Sequence, residues 1–215
     1  GRIRFTTSHP LEFNEDLIEV YRQLPQLVSH VHLPVQSGSD AVLSAMKRNH
    51  SAEDYLQRIR KLKAARPDIH ISSDFIIGFP NESDDDFIAT MNLIAEVDYD
   101  HSYSFIYSER PGTPAAELVD SISDNTKKER LSLLKARIKQ NTERKTRAMM
   151  GTTQRVLVEK LSERDPEYMM GTAENTRLVL LPAQPELLGH FVDVVIDEII
   201  SINTVRGQKI AWTER

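Results

Sequence analysis

Four strand-like segments, each closed by a polar or Gly/Pro-rich turn and separated by helix-length stretches, constrain the first half of this chain most strongly. Residues 3–7 read as a strand ending at Ser8-His9-Pro10, and residues 11–24 as a helix with Leu17, Ile18 and Tyr21 on one face. Residues 31–35 read as a second strand despite Pro34, closed by Gln36-Ser37-Gly38-Ser39, with a helix following to Lys47. Ser51 and Asp54 make a capping-box pattern that opens a helix to about residue 65, and Pro67 stops it. Residues 69–77 give a third strand ended by Gly78-Phe79-Pro80, and a helix then opens at Ser83 and runs through Ile94. Residues 103–107 give a fourth strand, ended by Arg110-Pro111-Gly112-Thr113-Pro114. This alternation predicts a parallel α/β sheet, in which ligands bind at the carboxyl ends of the strands. The turns after residues 7, 35, 77 and 107 are therefore expected to share one rim. Four parallel strands with an open edge make a poor independent domain, so the chain is expected to be a fragment lacking earlier strands.

From Thr126 the pattern changes. Thr126 and Glu129 form another capping-box pattern, and Leu131, Leu134 and Ile138 give a helical apolar stripe that ends near Gly151. Beyond it, residues 155–161, 176–181 and 191–202 are strand-like, with Gly171, Gly189 and Gly207 as punctuation. About five short strands here predict a small antiparallel β-barrel of OB-like type. The expected division is a first domain over 1–149, including a basic helix over 126–149, and a second over 150–215.

The chain has no cysteine, which excludes disulfides and thiolate-held zinc or iron–sulfur centres within these residues. Its apolar runs are too short to cross a bilayer and it opens on no secretory leader, so no membrane partner and a cytoplasmic location are expected. The net charge of −5 hides a segregation: residues 1–125 carry 11 basic and 20 acidic side chains, residues 126–150 carry 9 and 2, and residues 151–215 carry 7 and 10. The basic excess on the helix has few acidic partners three or four residues away. A polyanionic partner relieves that self-repulsion, and a small barrel directly after it favours nucleic acid.

His30-x-His32 has the spacing of strand neighbours on one face but lacks a third ligand nearby, and is read as structural. Asp84-Asp85-Asp86 sits in the first turn of a helix, where carboxylates meet the helix dipole favourably, so no cation site is expected there. Gln36-Ser37-Gly38-Ser39 and Ile76-Ile77-Gly78-Phe79-Pro80-x-Glu82 are each ambiguous between a tight turn and a ligand contact. Four such ends on one rim point to a pocket.

Residues 4–10, 32–39, 74–80 and Tyr107-Ser108-x-Arg110-Pro111-Gly112-Thr113-Pro114-Ala115-Ala116 resemble the radical S-adenosylmethionine (SAM) methylthiotransferases, above all their MiaB-type branch, through essentially the whole chain. Residues from about 150 to 213 resemble the RNA-binding TRAM domain, with Gly171-Thr172-Ala173-Glu174-Asn175-Thr176 similar to its central turn. The fold this implies is a partial parallel (βα) barrel of radical SAM type, strands three to six, followed by the small TRAM barrel.

The resemblance implies a full-length enzyme that converts N(6)-dimethylallyladenosine beside the tRNA anticodon to its 2-methylthio derivative, using S-adenosylmethionine and [4Fe–4S] clusters held by cysteines. This chain has no cysteine and is expected to be inactive alone. By the same resemblance Gln36 and Ser37 touch the ribose or amino-acid portion of the cofactor, and Ile76, Ile77 and Gly78 line its adenine. Tyr107 packs nearby, and Arg48 is the candidate for the cofactor carboxylate. Ile76 and Tyr107 read equally well as barrel core. Ser8 and His9 lie where substrate comes in. Lys127, Lys128, Arg137, Lys139, Arg144, Lys145 and Arg147 on the helix, with Arg155, Arg177 and Arg206 on the barrel, are candidate phosphate contacts for a tRNA anticodon stem-loop. The modified base is then read in the barrel mouth. A reductant for the cluster and a monomeric state complete the expected picture. Two sibling substrates remain open, a ribosomal-protein aspartate and threonylcarbamoyladenosine in tRNA. A further alternative is a non-catalytic tRNA-binding module.

Overall fold

The computed structural model describes residues 1–7, 9–109, 112, 115 and 118–212. By contacts the chain divides into two compact units. One comprises Arg4–Leu27 and Val31–Asn141; the other comprises Gly1–Ile3, Val28–His30 and the chain from Thr142 onward.

The first unit contains α1 (Glu15–Gln23), β1 (His30–His32), α2 (Asp40–Ala45), α3 (Ala52–Ala65), β2 (His70–Ile77), α4 (Asp84–Val97), β3 (His101–Ile106) and the greater part of α5 (Asp124–Arg147). The strands lie in the order β1-β2-β3, and β2 pairs with β3 in parallel. Ser73, Phe75 and Ile77 project to one side of β2, into a core shared with Tyr55, Ile59 and Leu62 of α3 and with Leu93, Ile94 and Val97 of α4. Leu134 and Ile138, two of the stripe residues read from the sequence, join that core from α5.

Several boundaries depart from expectation for local reasons. Residues 3–7 form only isolated bridges, Thr6 pairing with His32 in parallel, so the expected first strand is not built and the sheet has three strands. The expected helix over 11–24 is split. A 3-10 turn (Pro10–Glu12) comes first, and α1 restarts where the Asn14 side chain accepts from the Leu17 N–H. The second strand is cut at His32 because Pro34 has no N–H to donate. Pairing resumes at Gln36, whose N–H reaches Asp74 O at 2.9 Å and whose carbonyl accepts from Ile76 N at 3.0 Å. Ser73 Oγ fills the gap, accepting from Val35 N at 3.0 Å and donating to Leu33 O at 2.9 Å. The capping box at Ser51/Asp54 forms as read, and Ser83 opens its helix as expected, with Asp86 completing a capping box that was not read from the sequence. The basic helix starts a turn earlier than expected: Ser123 Oγ accepts from Thr126 N, so Ser123 caps it rather than Thr126.

The second unit is a closed five-stranded barrel of β4 (Thr153–Leu161), β5 (Tyr168–Thr172), β6 (Leu178–Pro182), β7 (Phe191–Ser201) and β8 (Thr204–Trp212), in the order β4-β5-β6-β8-β7. β4 and β7 pair to close it. Four of the pairings are antiparallel, and β6 with β8 is parallel, the one departure from an all-antiparallel barrel. Inward positions alternate along the strands: Val156 and Val158, Val179 and Leu181, and Val192, Val194 and Ile196 are buried. Met149 joins this core, and Thr146 Oγ1 donates to Ile202 O. Those contacts are why the last residues of α5 group with the barrel.

Gly171 stands opposite Val158, and a Cβ there would run into the Leu157 carbonyl and the Val156 side chain. We expect Gly171→Ala to destabilise the barrel by about 2 kcal/mol, from overpacking against backbone that cannot retreat. Urea unfolding checks this, and an unchanged midpoint contradicts it.

Candidate functional site

The carboxyl ends of the strands in the first unit open onto a cavity of about 750 Å³. Gln36, Arg48, Ile76 and Tyr107 line it, together with Met46, Phe79, Phe105 and Ile106. The size lies within the roughly 300–1,000 Å³ range of small-molecule sites. Two wall residues hold left-handed backbone that side chains disfavour, Gln36 at φ 74 and Lys47 at φ 58, the kind of strain that collects at ligand sites. Arg48 supplies the cation; burial pulls its pKa down, opposed by the nearby Asp74 carboxylate. Tyr107 packs edge-on to Phe79, ring centroids 5.0 Å apart, and its buried hydroxyl has no hydrogen-bond partner among the described residues.

Three other expected contacts sit behind this wall. Ser37 is buried, with Oγ 3.3 Å from Thr90 Oγ1 and accepting from Ser39 N. Ile77 is fully buried in the core. Gly78 has φ +69, and a Cβ there would meet the Lys127 stem at 2.6 Å. Its lack of a side chain makes room for this lysine.

The Gly78 turn is held by a buried ion pair. Glu82 Oε1 accepts from Gly78 N at 3.1 Å and pairs with Arg130 Nη1 at 2.9 Å, while Arg130 Nη2 reaches Asp84 at 2.6 Å. Burial raises the Glu82 pKa, opposed by the Gly78 N–H and by Arg130. Sequence reading noted Glu82 within its motif but had no signal for Arg130, which lies far along the chain.

His9 and His50 meet edge to face at 5.5 Å. His9 Nδ1 accepts from Leu11 N. His50 Nδ1 lies 3.2 Å from the Ser51 carbonyl, an acceptor only, so this nitrogen carries the proton and the buried Nε2 is a bare acceptor with no partner among the described residues. Burial, with Arg48 adding to it, lowers both pKa values below 6.5. Ser8 lies outside the described residues, as do Arg110, Pro111, Thr113 and Pro114 of the last expected rim turn.

The expected phosphate contacts divide sharply. Lys128, Arg137, Lys139, Arg144 and Arg147 are exposed, and Lys145 is half-buried. Lys127 is buried and ion-paired with Asp120, so its place is structural. Arg177 is also buried. Its Nε donates to Thr146 Oγ1 at 3.1 Å and Nη2 to Thr142 O at 3.2 Å, so it packs inside the unit and is not offered to phosphate. Arg155 lies 4.7 Å over the Phe191 ring, and Arg206 lies 4.6 Å over Tyr168 while pairing with Glu198. Both keep partial exposure. His32, read as structural, is pinned by Ser72 Oγ at 2.9 Å from Nδ1 and by Asp74 Oδ1 at 3.2 Å from Nε2. No cluster of three or more potential metal ligands occurs among the described residues.

The first unit is thus a parallel sheet with a cavity at its strand ends, and the second a closed OB-like barrel. Residues 1–94 match the family model of the radical SAM superfamily, and residues 147–210 that of the TRAM domain. The fold is similar to that of Escherichia coli coproporphyrinogen III oxidase (HemN), a radical SAM enzyme, with a TM-score of 0.52, 15% identity, and coverage of 99% of this chain and 52% of that one. The particular kinship is closer still. The tRNA-2-methylthio-N(6)-dimethylallyladenosine synthase of Acinetobacter baylyi is 58% identical over 208 residues, 97% of this chain and 43% of the relative. The enzymes of that name from Psychrobacter cryohalolentis and Idiomarina loihiensis are 58% identical over 211 residues, 42% of that relative, and 56% identical over 209, 43% of it. The resemblance to the radical SAM methylthiotransferases is thus shown, and the chain spans less than half the length of these relatives.

Two stability predictions follow from the buried charges. Arg130→Met strands the Glu82 carboxylate and should cost about 3 kcal/mol at neutral pH. A raised folded-state pKa gives stability that is present at low pH and lost as pH rises through that pKa, so the variant's deficit should shrink on acidification. Glu82→Gln in the same background should recover part of the loss, and urea titrations across pH read all three. The histidines act in the opposite sense. Their lowered folded-state values make stability fall as pH drops from about 7 to 5.5, and His50→Gln should flatten that slope in thermal melts.

Proposed function

We propose that this chain forms part of a tRNA methylthiotransferase that converts N(6)-dimethylallyladenosine beside the anticodon to its 2-methylthio derivative. One observation carries the reading: 58% identity over 208 residues to an enzyme named for that product. The cavity supports it. Its wall combines a guanidinium for a carboxylate (Arg48), an amide for ribose hydroxyls (Gln36) and apolar faces for an adenine (Ile76 and Tyr107), which fits S-adenosylmethionine. Ser37, Ile77 and Gly78 shape that wall from behind. When bound, S-adenosylmethionine supplies a methyl group and, on one-electron reduction, a hydrogen-abstracting radical. With no cysteine in 215 residues, this chain offers no thiolates to a [4Fe–4S] cluster, and the reductive step lies beyond what its side chains do.

In this reading Lys128, Arg137, Lys139, Arg144, Lys145 and Arg147, with Arg155 and Arg206, meet the phosphates of an anticodon stem-loop. Such contacts hold RNA in register without reading its sequence. His9 borders the substrate's path. The radical SAM part runs over 1–149 and the TRAM part over 150–215, and the whole protein works as a cytoplasmic monomer with an external reductant. No helix among the described residues is long and apolar enough to cross a membrane. A second reading is a tRNA-binding module without catalysis, supported by the exposed basic residues of α5.

Mass spectrometry of tRNA nucleosides from cells lacking the gene decides among these. Loss of the 2-methylthio derivative of dimethylallyladenosine is the expected result. Loss of methylthio-threonylcarbamoyladenosine, or of a methylthio group on a ribosomal-protein aspartate, would redirect the substrate. Unchanged nucleosides and ribosomal proteins would leave only the binding module.

A further inference from the structure

One row of side chains on the open face of the three-stranded sheet continues past the cavity wall. In the parallel register Ser72 stands beside His101, Asp74 beside Tyr103, and Ile76 beside Phe105. Alternate residues share a face, so these pairs form three successive rungs. The Ile76–Phe105 rung lines the cavity. The next rung toward the strands' amino ends is Asp74 and Tyr103, and His32 from β1 reaches it. Its Nε2 lies 3.2 Å from Asp74 Oδ1, and its ring meets Tyr103 edge-on at 5.9 Å.

Two features of this rung call for a ligand. Tyr103 is 55% exposed and its neighbour Phe105, on the cavity rung, 59%: adjacent aromatic rings bared on β3, the edge strand that pairs with β2 alone. Asp74 Oδ1 is fixed by His32, the carboxylate keeps 30% exposure, and Arg48 of the cavity wall is its nearby cation. A flat face beside a fixed, open acceptor suits a planar heterocycle that carries an N–H donor.

We propose that Asp74 and Tyr103, with His32 as positioning residue, form the specificity-determining face for the substrate nucleobase: the Tyr103 ring stacks on the base and Asp74 accepts its exocyclic N6–H. The inference rests on the tRNA reading above and assigns residues within it. It extends the site from the cofactor-sized cavity onto the neighbouring rung of the same sheet.

The test measures fluorescence anisotropy of this chain with three synthetic anticodon stem-loops. One carries N(6)-dimethylallyladenosine, one carries the same base with a methyl group replacing the N6 hydrogen, and one is abasic at that position. The first is expected to bind about ten-fold more tightly than the abasic loop, with the N6-methylated base losing much of that preference. Tyr103→Ala should abolish the preference, Tyr103→Phe should retain it, and neither should change the salt-dependent binding of the abasic loop. The N6-methylated RNA tests the Asp74 contact without altering the protein. Equal binding of all three loops, or a preference that survives Tyr103→Ala, overturns the proposal and leaves the RNA reading standing. No binding of any loop overturns both.

Discussion

The parallel pairing of β2 is the constraint on which the first unit depends. A strand has two faces with a period of two, and β2 uses both. Ser73, Phe75 and Ile77 are buried against helices on one side, while Asp74 and Ile76 stay partly open on the other. Register with β3 then sets Tyr103 and Phe105 beside Asp74 and Ile76. A slip of one residue would bury the carboxylate and expose the phenylalanine, so packing of the core and composition of the open face are one decision.

The interruption at Pro34 shows how such a sheet tolerates a residue that cannot donate. Ser73 Oγ takes over as acceptor for Val35 and as donor to Leu33, and Tyr55 donates its hydroxyl to the same Leu33 carbonyl. The chain re-enters pairing at Gln36 with left-handed backbone, and that turn faces the cavity. On the far side, the Glu82–Arg130 pair fixes the Gly78 turn. A buried ion pair of this kind is weak as a source of stability but costly to break, which makes it a device for holding one geometry.

The charge segregation along the chain resolves differently once side chains have places. Of the basic residues on α5, Lys127 and Arg130 turn inward to meet Asp120 and Glu82, whereas Lys128, Arg137 and Arg147 stay in solvent. The helix therefore carries two kinds of cation under one composition. In the barrel, Arg177 is likewise drawn inside by carbonyl and hydroxyl acceptors that lie far from it in sequence.

The sequence by itself determined what local chemistry dictates. The Ser51 and Ser83 caps, β2 and its terminating glycine, the stripe at Leu134 and Ile138, and three of the five barrel strands (β4, β6 and β7) were legible, because each is a pattern within a few residues; β5 and β8 were not located. Tertiary structure alone decided the rest. It reduced residues 3–7 to bridges, since a strand needs a partner along its whole length. It moved the cap of α5 to Ser123. It drew Gln36, Arg48, Ile76 and Tyr107 to one cavity while burying Ile77, since neighbours on a strand point to opposite faces, and it left Ser37 and Gly78 out of the lining. It also joined Glu82 to Arg130 and Asp74 to His32. Such pairs are set by the approach of segments distant in sequence, and the energy of a buried or half-buried charge depends on that approach rather than on the identity of the residue.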